Sequence, residues 1–326
     1  MPTVSVIIAA YNCRATIGKA IESVCNQTLR DIEIIVADDA STDGTYDLVK
    51  SLADVDKRIK LMKLPQNGGP GVARNAAINA AVGEWIAVLD ADDWYETNRL
   101  DNLLNAAKQL NADLVCDNLK IYDHARGEVV NQTRYGGKEI IPLTPEFLFL
   151  HDTPLQLVAI GYLKPMARRE FLKAHNIAYN PQYRAGEDFL FLVEAPLNGG
   201  KAFLVPEAYY VYVHRISPTT RKISPHSHSD AGFDLAVRGC DYILEKYGAS
   251  LSPETRRAVL KKRWIFESRI KCGDMLSALR QKKIMQAVNI LVQRPFILTL
   301  LGTTLAKLIY SNIMVCLPKT KKSGSA

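Results

Sequence analysis

Apolar and polar positions alternate in two patterns over roughly the first third of the chain. Short apolar runs rich in β-branched residues predict strands buried on both faces of a parallel sheet. These runs lie at residues 4–10, 32–37, 59–64 and 85–89. Apolar residues at helical spacing predict the helices between them, around 17–24, 48–52, 72–81 and 98–111. Regular alternation of strand and helix implies βαβ units with right-handed crossovers, and therefore an α/β fold.

The alternation becomes irregular after about residue 118, and the predicted elements there are shorter. They are a strand at 113–116, a hairpin over 121–130, a helix at 145–150, a strand at 160–163, a helix at 168–175, an apolar helix after Gly186, and two strands at 202–205 and 209–214. Residues 215–229 are rich in Ser, Pro, Thr and His and predict a mobile loop, after which the pattern is helical. We therefore predict one domain at 1–229, with halves meeting near residues 118 and 119, and a helical C-terminal region at 230–326.

Carboxylates follow the central apolar run directly, in the order Asp90-Ala91-Asp92-Asp93. Open α/β sheets bind ligands at the carboxyl ends of their strands. Carboxylates this close repel one another unless a cation neutralises them, and hard oxygen ligands suit Mg²⁺ or Mn²⁺. The alternative is an acidic surface turn that caps the next helix, because Asp is common at such positions. The motif alone leaves both interpretations open.

Two further helix starts carry candidate chemistry. The glycine-rich connection at 65–71 opens a helix that carries Arg74, so its free amides and its arginine could bind a phosphate. It matches neither the dinucleotide-binding nor the P-loop pattern, and the glycines could serve the turn alone. Gly186-Glu187-Asp188 starts the apolar helix, where acidic residues either act in chemistry or only favour the helix dipole.

Composition and charge narrow the class of protein. The 326 residues have ordinary apolar and charged content, and the six cysteines are scattered without metal-ligand spacing, as expected of reduced thiols in the cytoplasm. The net charge of +7 combines −6 over residues 1–255 with +13 over residues 256–326. A basic C-terminal region predicts an anionic partner. No nucleic-acid-binding module is recognisable, so we expect a membrane surface and no nucleic acid.

The chain resembles family 2 glycosyltransferases of the GT-A fold in the order and spacing of six features. These are the end of the first strand (9–12), the segment 38–43, the helix start with Arg74, the motif at 90–93, the helix start at 186–188, and His214. Within that family the chain looks most like bacterial exopolysaccharide glycosyltransferases of the succinoglycan type. The resemblance covers roughly the first two thirds of the chain. It implies a Rossmann-like, mostly parallel sheet flanked by helices, a UDP-sugar donor, and Mn²⁺ or Mg²⁺ as cofactor.

The resemblance also implies roles on the nucleotide side. Ala9 and Tyr11 would line the nucleotide site, with Tyr11 stacking on the uracil, and Asp39 would accept a hydrogen bond from the base. Arg74 would contact the diphosphate. The structural alternatives are that Tyr11 closes the core at a strand end and that Asp39 caps a helix.

On the side of the sugar, Asp90 and Asp92 would form the DXD motif that the resemblance implies. Asp90 and Asp93 would contact the donor and Asp92 would bind the metal, with Asp93 as the alternative metal ligand. His214 would complete the metal site, although a histidine at a strand end is as compatible with a structural role. Asp188 would be the catalytic base, with Glu187 on the acceptor side.

Three other functions fit this sequence less well. A nucleotide-sugar-binding protein without turnover would not need Asp188. A sugar nucleotidyltransferase would need a glycine-rich basic loop after the first strand, where residues 11–14 are Tyr, Asn, Cys and Arg. A processive synthase would carry QxxRW and several membrane spans. We expect inverting transfer of a sugar, glucose by resemblance, from a UDP-sugar to a lipid-linked oligosaccharide in exopolysaccharide biosynthesis, at the cytoplasmic face of the inner membrane.

The segment 295–317 is the candidate membrane contact. Lys307 is its single charge, and a polar residue recurs every four positions, which leaves a wide apolar face. Basic clusters lie on both sides, whereas a single span prefers them on one side. We expect a helix in the membrane interface. The alternative is a helix packed on the protein's own body.

Overall fold

The computed structural model describes residues 1–133, 135–153, 158–214 and 230–302. Its strands are β1 (Val4–Ala10), β2 (Ile32–Asp38), β3 (Ile59–Lys63), β4 (Trp85–Asp90), β5 (Trp94–Tyr95), β6 (Leu114–Asp123), β7 (Glu128–Gln132), β8 (Ile141–Pro142), β9 (Met166–Arg168) and β10 (Ala202–His214). Its helices are α1 (Ile17–Cys25), α2 (Thr45–Val55), α3 (Pro70–Ala80), α4 (Arg99–Gln109), α5 (Pro145–His151), α6 (Arg169–Ala174), α7 (Glu187–Leu197), α8 (Asp230–Tyr247), α9 (Pro253–Arg280) and α10 (Ile284–Gln293).

These strands form one mixed sheet, in the order β3-β2-β1-β4-β9-β6-β10-β5, with β7 paired to β6 and β8 to β10. The first four strands pair in parallel, as do β6 and β10. Strand β9 lies between β4 and β6 and runs antiparallel to both. The sheet is thus mostly parallel and flanked by helices, which confirms the predicted fold class. Strands β1, β2 and β4 all end at one edge, where a ligand site is expected.

The strand predictions were wrong in two regions. Residues 160–162 form a 3₁₀ helix, and the strand in this region is β9, a few residues later. The two strands predicted at 202–205 and 209–214 are one strand, β10, with register shifts between Val205 and Tyr210. Buried Asp117 explains the irregularity, because its Oδ2 accepts hydrogen bonds from the Tyr209 and Tyr210 amides at 2.9 Å each. The side chain of Asp117 thereby replaces part of the backbone ladder.

The C-terminal helices divide between two apolar cores. Cys240 and Ile243 of α8 and Ala258 and Val259 of α9 belong to the large core that covers the sheet. The end of α9, α10 and Ile297 form a second, small core. The first part of the C-terminal region therefore packs on the body of the protein. Residues 303–317, the loop 215–229 and the side chain of His214 lie outside the described residues.

No helix within the described ranges is long and apolar enough to cross a membrane.

Candidate active site

A cavity of about 320 Å³ opens where β1 and β4 end and α3 begins. Its lining combines backbone from the loop after β1 with side chains that the sequence had singled out. The lining residues are Ala9, Tyr11, Asn12, Cys13, Ala15, Thr16, Pro70, Arg74, Asp90, Ala91 and Asp92. The topology thus brings together residues 9–16, 70–74 and 90–92, which are far apart in sequence.

The loop after β1 is fastened to the loop after β2. The Asn12 amide donates to Ser41 Oγ at 3.0 Å, and Asn12 Oδ1 accepts from the Thr42 amide at 2.8 Å. Asn12 has a positive φ of 46°, a region that asparagine tolerates better than most residues. Tyr11 is 51% exposed at the cavity, so it does not close the core. An exposed ring on a fastened loop can stack on a planar ligand.

Asp39 holds the glycine-rich loop in position. Its two carboxylate oxygens accept hydrogen bonds from the Gly68 and Gly69 amides, each at 2.8 Å. Gly69 has a φ of 91°, which only glycine adopts readily, and it caps α3. Asp39 does not cap α2, whose N-cap is Gly44. Its contact with a base therefore stays a prediction, and each oxygen has a second lone pair to offer.

Arg74 is buried and lies among three carboxylates. Its guanidinium lies 2.6 Å from Asp90 Oδ1, 2.9 Å from Asp188 Oδ1 and 3.1 Å from Glu187 Oε1. Tyr179 lies against it, with the guanidinium 5.0 Å from the ring centroid. Burial alone would lower the pKa of Arg74, but Asp188 and Asp90 raise it well above its ordinary value. Arg74 therefore stays charged, and it joins the donor side of the cavity to the start of α7.

Lys164 is a member of this charge cluster that the sequence pattern did not predict. Its Nζ is buried, lies 2.8 Å from Asp90 Oδ2 and donates to Asp188 Oδ2. Its carbonyl oxygen accepts from Arg99 at 2.7 Å, which fixes its backbone just before β9. Burial alone would lower the pKa of Lys164, but Asp188 and Asp90 raise it well above its ordinary value. A lysine between an apolar segment and a proline carries no recognisable motif, so only the fold reveals this role.

Asp90 and Asp188 share both cations although they are 98 positions apart. Burial would raise the pKa of Asp90, but Lys164 and Arg74 outweigh it and hold that pKa below its ordinary value. Gly186, with a φ of 78°, caps α7 and brings both acidic residues of its first turn to the cluster. Burial, followed by the charge of Asp188, raises the pKa of Glu187.

The other two aspartates of the central motif lie in different surroundings. Asp92 lines the cavity. Asp93 is buried, and its oxygens accept from Tyr210 Oη at 2.7 Å and from the Val213 amide at 2.8 Å. Burial, then the charges of Asp92 and Asp90, raise the pKa of Asp93 well above its ordinary value. Asp93 thus fastens β10 to the site, and its predicted contact with the donor stays a prediction.

A divalent cation was predicted at Asp92, with His214 completing the site. Among the described residues, no group of three or more His, Cys, Asp or Glu side chains is arranged to hold a metal ion by itself. Mg²⁺ is commonly bound through one or two carboxylates together with substrate phosphates, and Asp92 at the cavity wall suits that mode. The donor set available at this wall therefore fits a cation that arrives with a diphosphate.

Comparisons with known proteins agree with this fold. Succinoglycan biosynthesis protein ExoO of Rhizobium meliloti (strain 1021) is 34% identical over 233 residues, which are 71% of this chain and 66% of that protein. The UDP-Glc:alpha-D-GlcNAc-diphosphoundecaprenol beta-1,3-glucosyltransferase WfaP of Escherichia coli is 44% identical over 105 residues, 32% of this chain and 41% of WfaP. The chain thus spans just under two thirds of ExoO and less of WfaP.

Among solved structures, a similar one is the mannosyltransferase PcManGT from Pyrobaculum calidifontis, in complex with GDP-Man and Mn²⁺. The TM-score is 0.59 at 18% identity, over 96% of this chain and 82% of that one, a likeness in fold. The family profile described as Glycosyl transferase family 2 matches residues 5–184, more than half of the chain and all of the cavity residues. The chain belongs to glycosyl transferase family 2, with the GT-A fold.

Proposed function

We propose that the chain is an inverting glycosyltransferase that moves one sugar from a UDP-sugar to a lipid-linked oligosaccharide in exopolysaccharide biosynthesis. The observation that carries the proposal is the shared charge cluster. Asp188, the proposed base, and Asp90, the proposed donor-sugar contact, are both bound by Arg74 and Lys164. A protein that only binds nucleotide sugars has no need to hold a second carboxylate at this position.

Negative charge on the leaving UDP is the first thing the site has to stabilise. The α3 N-terminus, with Pro70 at its first position and Arg74 one turn on, lines the cavity. Free amides and the helix dipole favour a diphosphate there. A bound Mn²⁺ or Mg²⁺ would supply Lewis-acid stabilisation of the same charge, held by Asp92 and the diphosphate oxygens.

The acceptor hydroxyl has to lose its proton as it attacks the anomeric carbon. Asp188 is a suitable general base because it stands at the start of a helix, 17% exposed, with two cations that fix its orientation. Glu187 beside it would bind or orient the acceptor. In-line attack from the face opposite the leaving group inverts the anomeric centre, so an α-linked donor gives a β-linked product.

Relatives support the choice of donor and acceptor. WfaP is named as a transferase that uses UDP-Glc and a diphosphoundecaprenol-linked acceptor, and ExoO as a succinoglycan biosynthesis protein. We therefore propose UDP-glucose as donor, a lipid-linked saccharide as acceptor, and action at the cytoplasmic face of the inner membrane. Tyr11 and Asp39 would then contact the uracil, with Ala9 beside it.

The test begins with hydrolysis of a panel of UDP-sugars by the purified protein, followed by mass spectrometry of lipid-linked acceptors incubated with the accepted donor. A mass increase of one hexose on the acceptor supports the proposal. Donor binding without hydrolysis or transfer, on every acceptor tested, would favour a binding protein.

The metal requirement is tested separately. Asp92→Ala should abolish transfer and weaken UDP binding in the presence of Mn²⁺ or Mg²⁺, but leave metal-free UDP binding nearly unchanged. Titration calorimetry with and without the cation measures both. Full turnover in excess chelator would contradict the role of the cation.

A further inference from the structure

Helix α10 presents a continuous apolar row outward. Ile284, Met285, Val288 and Val292 lie within about 100° around the helix axis. Met285 is 79% exposed, Val292 74% and Ile284 64%. The opposite side of the helix, which includes buried Ala287, packs in the small core with the end of α9. Scattered exposed apolar residues are ordinary, but a row of four on one helix face marks an interaction surface.

Positive charge borders this row. Lys282 and Lys283 lie exposed in the turn before α10, and the described contacts give neither an ion pair. Arg294 follows the helix and is paired with Glu267. The sequence from residue 275 to residue 326 contains eight Lys and Arg and no Asp or Glu. Apart from the pair of Arg294 with Glu267, the charges that border the row on its own stretch of the chain are therefore positive.

A second protein surface and a lipid surface would use these features differently. Apolar side chains beside lysines, without acidic residues, are typical of helices that lie at the boundary of lipid head groups and acyl chains. Anionic lipids attract such lysines, and the attraction falls off within a Debye length. Lysine is depleted in the centre of protein–protein interfaces. The charge therefore favours lipid as the occupant.

We propose that α10 docks on an anionic lipid surface, with the row 284–292 among the upper acyl chains and Lys282 and Lys283 on lipid phosphates. The proposal locates the membrane contact in a described helix, ahead of most of the segment 295–317. It does not depend on the reaction proposed above, because docking can be measured without turnover.

The experiment uses the full chain and vesicles of zwitterionic lipid, alone or mixed with phosphatidylglycerol. Flotation should recover the protein with the mixed vesicles and much less with the zwitterionic ones, and added salt should weaken recovery. The double variant Met285→Asp/Val292→Asp should bind at least about tenfold more weakly, because a charge has to enter the acyl region. Lys282→Glu/Lys283→Glu should lose about tenfold or more, and only on anionic vesicles.

Val55→Asp is the matched control. Val55 is an exposed apolar residue at the end of α2, on the body of the protein, and its replacement should leave flotation unchanged. Deletion of the whole region from residue 256 would be a poor test, since it removes Ala258 and Val259 from the large core. Point variants on the outward face of α10 avoid that loss.

A second measurement does not depend on losing a function. Val292→Trp should gain fluorescence quenching by brominated acyl chains beyond that of the wild-type tryptophans, which reports insertion directly.

Equal flotation of the aspartate variant and the wild type would overturn the proposal. So would a wild-type dimer that the same aspartates dissociate without lipid, since a second copy then covers the row. Destabilisation of the aspartate variants without any wild-type flotation would assign the row to the chain's own residues 303–326.

Discussion

At the scale of the residue, the candidate active site is a cluster of two buried cations and three carboxylates. Arg74 and Lys164 bind Asp90, Glu187 and Asp188, so positive charge is distributed over both the donor side and the acceptor side of the site. Removal of Arg74 or Lys164 leaves carboxylates in a buried place with less positive charge to compensate them. For each substitution in this cluster, both the free energy of unfolding and the rate of transfer must therefore be measured.

Asp188→Asn preserves shape and removes the basicity. General-base catalysis contributes about 10²–10⁴-fold, so we expect transfer to fall by at least that factor while UDP-sugar affinity changes little. Steady-state kinetics and calorimetry measure the two effects. Glu187→Gln is the neighbouring control and should cost less. Transfer at near wild-type rate in Asp188→Asn would mean that the base lies elsewhere.

Lys164→Met tests the bridge between Asp90 and Asp188. Breaking a buried ion pair on one side costs about 3–5 kcal/mol, so urea unfolding should show a large loss of stability. Lys164→Arg keeps the charge and should restore much of the stability, yet transfer should stay low because the fork geometry of arginine differs from a single ammonium group. Comparable transfer rates for Lys164→Met and the wild type would show that Lys164 has no role in the reaction.

Glu187 gives a prediction about pH. Burial, followed by the charge of Asp188, raises its pKa above the ordinary 4.5, so the folded state binds this proton more tightly than the unfolded chain. The free energy of unfolding should therefore fall as pH rises from about 4.5 through the raised pKa. Wild type should lose stability relative to Glu187→Gln over that window, measured by urea titration at several pH values. A difference between the two proteins that does not vary with pH would be inconsistent with the raised pKa.

At the scale of the element, helices α8 and α9 of the C-terminal region contact α7 or its neighbours through buried and half-buried lysines. Lys262 of α9 is buried, lies 2.7 Å from Asp152 Oδ2 and contacts the ring of Phe189, the residue after Asp188. Lys246 of α8 lies 2.6 Å from Glu194 near the other end of α7. The helix that carries the proposed base is thus supported at both ends by residues outside the sequence range that matches the family.

Lys262→Ala should therefore be strongly destabilising, by about 3–5 kcal/mol, because it leaves Asp152 buried without its partner. Arg257→Ala, on the same helix, breaks only an exposed pair with Glu254 and should cost less than about 1 kcal/mol. Urea unfolding of both variants measures the contrast. A similar loss of unfolding free energy in the two variants would show that the buried pair does not stabilise the protein more than the exposed pair does.

Sequence periodicity predicted β1 to β4 to within one residue, since strands buried on both faces have a strong apolar pattern, and it located the helices between them with less exact ends. It failed where tertiary contacts override that pattern. Strand β10 continues through a register shift at which the Asp117 side chain accepts hydrogen bonds from two of its amides, and the apolar pattern does not report that contact. The short β9 depends on the strands at both of its edges. The site was predictable where residues follow a strand or open a helix. Lys164 was not, because its partners come from elsewhere in the chain.

At the scale of the whole molecule, charge is divided unequally along the chain. Residues 1–255 carry −6 and residues 256–326 carry +13, and the structure joins the two parts through ion pairs such as Lys262 with Asp152. The basic excess that is left lies mainly beyond α9. An anionic partner would therefore be attracted to the C-terminal end of the chain. The net negative charge of residues 1–255 would repel the same partner and so orient the protein.

Because the protein has two separate apolar cores, its parts should open to solvent at different rates. Amides of β1 and β4 lie under the large core, so their exchange with deuterium should require global unfolding. Amides of α10 depend on the small core alone and should exchange by a local opening, many times faster, with little sensitivity to low urea. Mass spectrometry of pepsin fragments would resolve the two rates. A ligand that slows exchange only in α10 would then act on one cooperative unit without tightening the other.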